Sequence, residues 1–239
     1  EKRVQKKDLP FFMNLMDRLN QKNILCPKPL KDKKGQHLNK IKGKSACIVS
    51  FLEGKDKAKL NNKNCFEIGK NIAKFHKVAN KIKLYRRNSM SVTQLDSLLK
   101  SIKIKSSKIG SGIVPILYKN LKDIKKKWPK NLPSGIIHGD LFIDNIFFNK
   151  KNFSGFIDFY FSSNDYLMYE IAICINALCF DKKNNKFIIN YKKIKNLVDG
   201  YETIRVFSKK ERDSLNILCR GAALRYLLTR IYDYFNTPK

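Results

Sequence analysis

Residues 136–160 read IIHGDLFIDNIFFNKKNFSGFIDFY and set Asp140, Asp144, Asp158 and the amide Asn145 among apolar neighbours, in a chain of net charge +30. An ionised carboxylate drawn out of water costs several kcal/mol unless it is paired or ligates a metal. Acids in such a run therefore need cations, a metal ion or both. The apolar runs 136–137, 146–148 and 156–161, bounded by Gly, Asn and Lys, predict three short strands. His138, Asp140 and Asn145 then fall in the loop between the first two strands. Asp158 falls in the third, at hairpin distance. Asp144 sits next to Asn145, points the other way on strand alternation, and reads as structural.

These types and spacings suit phosphoryl transfer to a hydroxyl. That reaction needs a carboxylate able to accept the hydroxyl proton, and Asp140 holds that place. Magnesium prefers hard oxygen ligands, which Asn145 and Asp158 can supply as a carbonyl and a carboxylate on adjacent strands. The order His138, Gly139, Asp140, four residues, Asn145, then a later Asp158 resembles the catalytic loop and metal-binding aspartate of protein kinases. With glycine after the histidine, HGDLFIDN is the form used by the aminoglycoside phosphotransferase-like small-molecule kinases. The longer string HGDLFIDNIFF…SGFIDFYFSSNDYLMYEIAICINALCF resembles the bacterial homoserine kinase branch of that superfamily. So do EKRVQKKDLPFFMNLMDRL at the start, IVSFLEGK at 48–55 and GAALRYLLTRIYDY at 221–234.

The resemblance implies an α+β, protein-kinase-like two-lobe fold, with residues 1–54 as the remainder of a small α/β lobe plus hinge and 55–239 as a larger, mainly helical lobe. It implies ATP and L-homoserine as reactants, Mg2+ as the metal, and a step in threonine biosynthesis. It gives Asp140 the part of catalytic base, Asn145 and Asp158 those of magnesium ligands, and His138 that of orienting the loop by hydrogen bonding. It makes Ser50, Phe51, Leu52, Glu53 and Gly54 the interlobe hinge against adenine. Arg225 or Arg230, and Asp165 or Glu170, become the candidate partners of the acceptor's carboxylate and ammonium groups. Family members begin with strands that carry a phosphate-covering loop. This chain does not begin with methionine and has no such strands before Asp8, so it is expected to be N-terminally incomplete.

The elements that must hold these residues follow from periodicity. Asp8 can cap a helix with Pro10 in its first turn and Phe11, Phe12, Leu15, Met16 and Leu19 on one face, ending near Asn23. Pro27 and Pro29 impose an extended segment. A hairpin should turn at Lys34 and Gly35, and 46–52 (ACIVSFL) reads as a buried strand. Cys65, Ile68, Ile72, Phe75 and Ala79 recur every three or four residues from Asn61 onward, giving a helix on whose edge His76 is a packed, hydrogen-bonded residue. Residues 85–108 look irregular with short helical pieces, and 113–128 helical. Helices are also expected at 167–180, capped by Asn164 or Asp165, at 192–205 after a basic loop, and at 212–235, capped by Ser208.

Composition bounds the rest. Of the basic residues 41 are lysine and nine arginine, scattered along the chain. Readers of nucleic acid cluster arginine forks and aromatic platforms, so the lysines are expected to be a solvated coat and no specific nucleic-acid partner is expected. The six cysteines, Cys26, Cys47, Cys65, Cys174, Cys179 and Cys219, form no CxxC pair, and several sit in apolar runs as small hydrophobes. No apolar stretch reaches the length of a membrane span. A cytoplasmic protein without membrane association is expected.

Overall fold

The computed structural model describes residues 4–103, 112–150 and 152–236. Helix α1 (Leu9–Asn20) carries Pro10 in its first turn and buries Phe11, Phe12, Leu15, Met16 and Leu19, as its spacing predicts. Asp8 does not cap it. Asp8 already has helical backbone angles at the end of a 3-10 turn, and its carboxylate pairs with the Arg86 guanidinium at 2.9 Å.

The expected hairpin lies further on, at β1 (Asn39–Ile41) and β2 (Lys44–Ala46). Lys42 and Gly43 both have positive φ between them, as a tight two-residue turn requires. The polar turn at 32–36 exists too, closed by the Asp32 carboxylate accepting from the Lys34 and Gln36 amides. Residues 46–52 are not a buried strand. They make only a narrow antiparallel contact with 28–30, and Ile48 and Phe51 are 70% and 86% exposed. An apolar run becomes buried only where a second layer covers it, and among the described residues no layer does.

Helix α2 (Asn62–Ala79) opens on a capping box in which the side chains and backbone amides of Asn61 and Asn64 bond reciprocally. It buries the five residues that periodicity singled out. Each large aliphatic or aromatic side chain so buried contributes roughly 1.5–3 kcal/mol. Residues 95–103 form α3 (Leu95–Lys103), more regular than the sequence suggested. Leu95, Leu99 and Ile102, with Val92 before them, build a second apolar cluster with α4 (Ile113–Lys127). The remainder of the irregular stretch, 104–108, lies outside the described residues.

The central elements follow. β3 (Ser134–Ile137) precedes the hairpin of β4 (Ile146–Asn149) and β5 (Asn152–Phe156), whose register carries a bulge at Phe147 and Phe148. The third predicted strand ends at Phe156. Residues 159–161 turn into a 3-10 helix, and the chain then returns as β6 (Ser163–Tyr166), antiparallel to β3. Helix α5 (Leu167–Leu178) is apolar all round and runs through the centre of the molecule. Its N-cap is Tyr166, while the Asp165 carboxylate accepts from the Tyr166 amide and from Asn88 instead.

The expected basic loop is a hairpin, β7 (Phe180–Lys183) and β8 (Lys186–Ile189), turning at Asn184 and Asn185, both of positive φ. Asparagine tolerates that geometry better than most residues. Helix α6 (Tyr191–Glu202) crosses α2 at very short range. The 28-residue α7 (Lys209–Asn236) opens on a Ser208–Glu211 capping box. Buried residues of α1, α2, α5 and α7 share one apolar cluster, so the helical part of residues 1–54 packs on the same core as the C-terminal helices. Cys26, Cys65, Cys174 and Cys179 are buried, and all six thiols are free. Among the described residues no helix is long and apolar enough to cross a membrane.

Candidate active site

The 136–160 segment folds so that its polar residues converge. Gly139, at φ +81°, lets the chain leave β3 in a sharp turn, and a Cβ there would approach the Phe161 carbonyl oxygen to 2.9 Å. His138 is fully buried. Its Nε2 lies 2.8 Å from the Ile157 carbonyl oxygen, and its ring packs on Phe159 at 4.6 Å between centroids. One end of the loop is thereby tied to the backbone just before Asp158.

Asn145, on the 3-10 turn before β4, makes the second tie. Its Nδ2 donates to the Asp140 carbonyl oxygen at 2.8 Å and reaches the Asp140 carboxylate at 3.5 Å. The Ile157 amide donates to the Asn145 carbonyl oxygen at 3.1 Å. Asn145 is thus bonded to Asp140 by its side chain and, by its backbone, to the residue before Asp158, from two turns rather than from adjacent strands as the sequence suggested. Asp158 takes left-handed backbone angles, φ 59° and ψ 64°. Such strain in a residue other than glycine costs on the order of 1–3 kcal/mol and gathers at functional sites. Its carboxylate has no hydrogen bond or ion pair among the described residues, and the Asn145 side-chain oxygen has none either. Two unpaired oxygen donors on neighbouring turns are of the type that a hard divalent cation prefers.

Helix α7 closes the other side. Arg225 Nη2 lies 3.5 Å from Asp140 Oδ1, and the Tyr226 hydroxyl donates to the same oxygen at 3.4 Å. The Arg225 guanidinium, 3% exposed, stacks over the Tyr226 ring at 4.6 Å. Burial pushes the Asp140 carboxyl above the usual carboxylate range; the charges of Arg225 and His138 pull it back, and those of Asp158 and Asp144 add to the rise. The cleft beside Asp140 has a volume of about 240 Å3 and is walled by Phe142, Phe161, Asp144 and the α7 residues Tyr226 and Arg230. Asp144 thus faces the same cleft as Asp140. The 3-10 turn rotates it by about a third of a turn from Asn145 rather than to the opposite face of a strand.

Two expected acceptor contacts lie elsewhere. Glu170 is fully buried beneath the loop, where its carboxylate accepts the backbone N–H groups of His138 and of Gly139, the latter at 3.0 Å. Burial alone would raise its carboxyl, but the nearby His76 and His138 and the bond from the Gly139 amide bring it below the usual range. His76 Nε2 stands 3.8 Å from Glu170, and its Nδ1 2.9 Å from the Tyr201 hydroxyl. Asp165 is bonded to Asn88 at 2.6 Å and does not line the cleft, although burial raises its carboxyl. Sequence reasoning left out Tyr226 and underrated Asp144. The only signal was Tyr226, Thr229 and Arg230 recurring on one face of a helix.

The hinge residues lie over the β4–β5 hairpin. The Ser50 hydroxyl oxygen accepts from the Lys28 amide at 2.9 Å, and the Glu53 carbonyl oxygen accepts from the Ser154 hydroxyl. Gly54, at φ +115°, lies where a Cβ would meet the Phe148 carbonyl oxygen at 2.7 Å. The Leu52 side chain covers Gly155, and the Phe51 ring is exposed. The backbone groups of Phe51 and Leu52 have no hydrogen bonds among the described residues.

Residues 1–206 match the phosphotransferase enzyme family. The chain is 41% identical over 239 residues to a homoserine kinase of Allorhizobium ampelinum, covering all of this chain and 74% of that protein. It is equally identical over 238 residues to a homoserine kinase of Agrobacterium fabrum, covering 73% of that protein. Among solved structures, an amicoumacin kinase in complex with AMP-PNP and Ca2+ superposes with a TM-score of 0.76 at 14% identity, over 99% of this chain and 73% of that one. That likeness extends the fold, an α+β arrangement of the protein-kinase type, to a partner of unrelated sequence. The chain belongs to the phosphotransferase enzyme family and, within it, to the homoserine kinases.

Proposed function

We propose that this protein transfers the γ-phosphoryl group of ATP to the side-chain hydroxyl of L-homoserine, with Mg2+ as the metal, as a cytoplasmic step of threonine biosynthesis. The observation that supports the reading is that Asn145 is bonded to Asp140 by its side chain and, by its backbone, to Ile157 beside Asp158. In this reading Asp140 accepts the hydroxyl proton as the oxygen attacks phosphorus and the bond to the ADP oxygen breaks. Its raised affinity for a proton suits a general base, and Arg225 and Tyr226 hold it in place. Asn145 and Asp158 would hold the metal, which when bound supplies positive charge against the phosphate oxygens. His138 and Glu170 fix the loop and touch no reactant. Residues 50–54 would receive adenine, the free backbone groups of Phe51 and Leu52 bonding its edge and the Phe51 ring covering its face. On the same reading residues 1–54 belong to the nucleotide-covering lobe and 55–239 to the catalytic lobe.

The test is an assay with ATP, magnesium and a panel of hydroxyl acceptors that includes homoserine, choline, methylthioribose and an aminoglycoside. ADP release matched by O-phosphohomoserine is the expected result. Turnover of another acceptor with none of homoserine overturns the substrate assignment.

A further inference from the structure

We propose that the cleft between the 140–145 turn and α7 reads its acceptor as a zwitterion, Arg230 taking the carboxylate and Asp144 the ammonium group. This rests on the homoserine kinase reading and assigns the residues that give it specificity. The chain carries a net charge of +30, yet around this cleft acidic and basic side chains are nearly balanced, with Asp140, Asp144 and Asp233 against Arg225 and Arg230. Local balance in so basic a chain suits a ligand bearing both charges at neutral pH. A purely cationic polyamine or a neutral alcohol would leave one sign unanswered in a half-dry site.

The individual residues follow by elimination. Arg225 is committed, its buried guanidinium lying against Asp140 and stacked on Tyr226. Arg230 lies on the same face of α7, four residues beyond Tyr226, and its exposed guanidinium has no ion pair or hydrogen bond among the described residues. Of the carboxylates, Glu170 is spent on the loop backbone and Asp165 on Asn88, and Asp233, which also lines the cleft, already has a partner. Asp140 is needed at the hydroxyl. Asp144 is exposed, lines the cleft and has no bonded partner among the described residues.

The test uses the two half-analogues of homoserine. 3-Aminopropan-1-ol keeps the amine and lacks the carboxylate; 4-hydroxybutyrate keeps the carboxylate and lacks the amine. For wild type, Arg230→Met and Asp144→Asn, the KM of homoserine and the inhibition constant of each half-analogue as its competitor are measured, with the KM of magnesium–ATP as control. Arg230→Met is expected to weaken homoserine and 4-hydroxybutyrate about 10- to 100-fold and to leave 3-aminopropan-1-ol within about two-fold. Asp144→Asn is expected to weaken homoserine and 3-aminopropan-1-ol by a similar factor and to spare 4-hydroxybutyrate. The KM of magnesium–ATP stays within about two-fold in both. If wild type phosphorylates homoserine while each variant weakens all three compounds together, or none, this charge assignment is overturned and the functional reading stands. No phosphorylation of homoserine by wild type overturns the functional reading, and this inference with it.

Discussion

The Glu170 carboxylate accepts the backbone N–H of Gly139 at 3.0 Å from beneath the loop, one residue before Asp140. It also accepts the His138 N–H, so one fully buried carboxylate on α5 satisfies two successive loop donors. A loop held from below by its own backbone keeps Asp140 in place whether or not a ligand is bound. That preorganisation is where the apolar helix α5 meets the chemistry.

Replacing Glu170 with Ala should therefore unfold the protein readily, because two buried N–H groups lose a charged acceptor. Each such bond is worth roughly 1.5–3 kcal/mol. Glu170→Gln keeps one acceptor oxygen and should retain the fold while lowering kcat more than it raises the KM of either reactant. Thermal unfolding and steady-state kinetics of the two variants check this; equal stability of Glu170→Ala and wild type would refute it.

Asp140→Asn should lower turnover roughly 10²- to 10⁴-fold while magnesium–ATP binds as before, since the side chain is placed for the hydroxyl and not for the metal. Calorimetric titration with magnesium–ATP alongside the rate assay separates the two effects. Turnover within a few-fold of wild type contradicts the assignment.

Asp158→Ala should remove both activity and metal-dependent nucleotide binding. The same change takes away a negative charge that raises the Asp140 carboxyl, and it leaves a Cβ at a left-handed position that aspartate tolerates better than alanine. Magnesium–ATP affinity, compared with affinity for ATP in a chelator, gives the readout. An unaltered magnesium dependence would mean that Asp158 is a structural acid.

Burial holds His76 below the usual imidazole range, although Glu170 draws it the other way. The unfolded chain takes up this proton near a pH of about 6.5 and the folded protein only at lower pH. Between those values the unfolded state binds more protons, so stability is full above about 6.5 and falls as the pH drops toward the folded value. The midpoint of thermal unfolding should fall between pH 7.5 and 5, and His76→Gln should flatten that slope. A slope unchanged in the variant would place the proton uptake elsewhere.

Helices α2 and α6 touch through glycine. A Cβ on Gly69 would lie 1.9 Å from the Leu197 carbonyl oxygen, and one on Gly200 2.0 Å from that of Phe66. Gly200→Ala should thus force the helices apart at a cost of about 1–3 kcal/mol, lowering the unfolding temperature by roughly 2–4 °C per kcal/mol. Since Tyr201 and His76 connect the same contact to Glu170, catalytic rate should fall along with stability.

The candidate site residues could be proposed from the linear chain because a short motif brings its own geometry. His138, Asp140 and Asn145 lie within eight positions, and Asp158 is returned to them by one hairpin. Helices α1 and α2 were legible from a regular apolar stripe and α7 from its Ser208 cap, which are local facts. The run 46–52 was misjudged because apolarity shows a wish for burial and not the presence of a covering layer. The β7–β8 hairpin was missed where lysine and asparagine dilute the pattern, and α3 was expected only as a short helical piece. Tertiary structure alone decided which acids are left facing the cleft. Glu170 and Asp165 look as available in sequence as Asp144. Only packing buries the first under Gly139, bonds the second to Asn88 and leaves the third facing the cleft, because partners far apart in the chain determine which carboxylates are already satisfied.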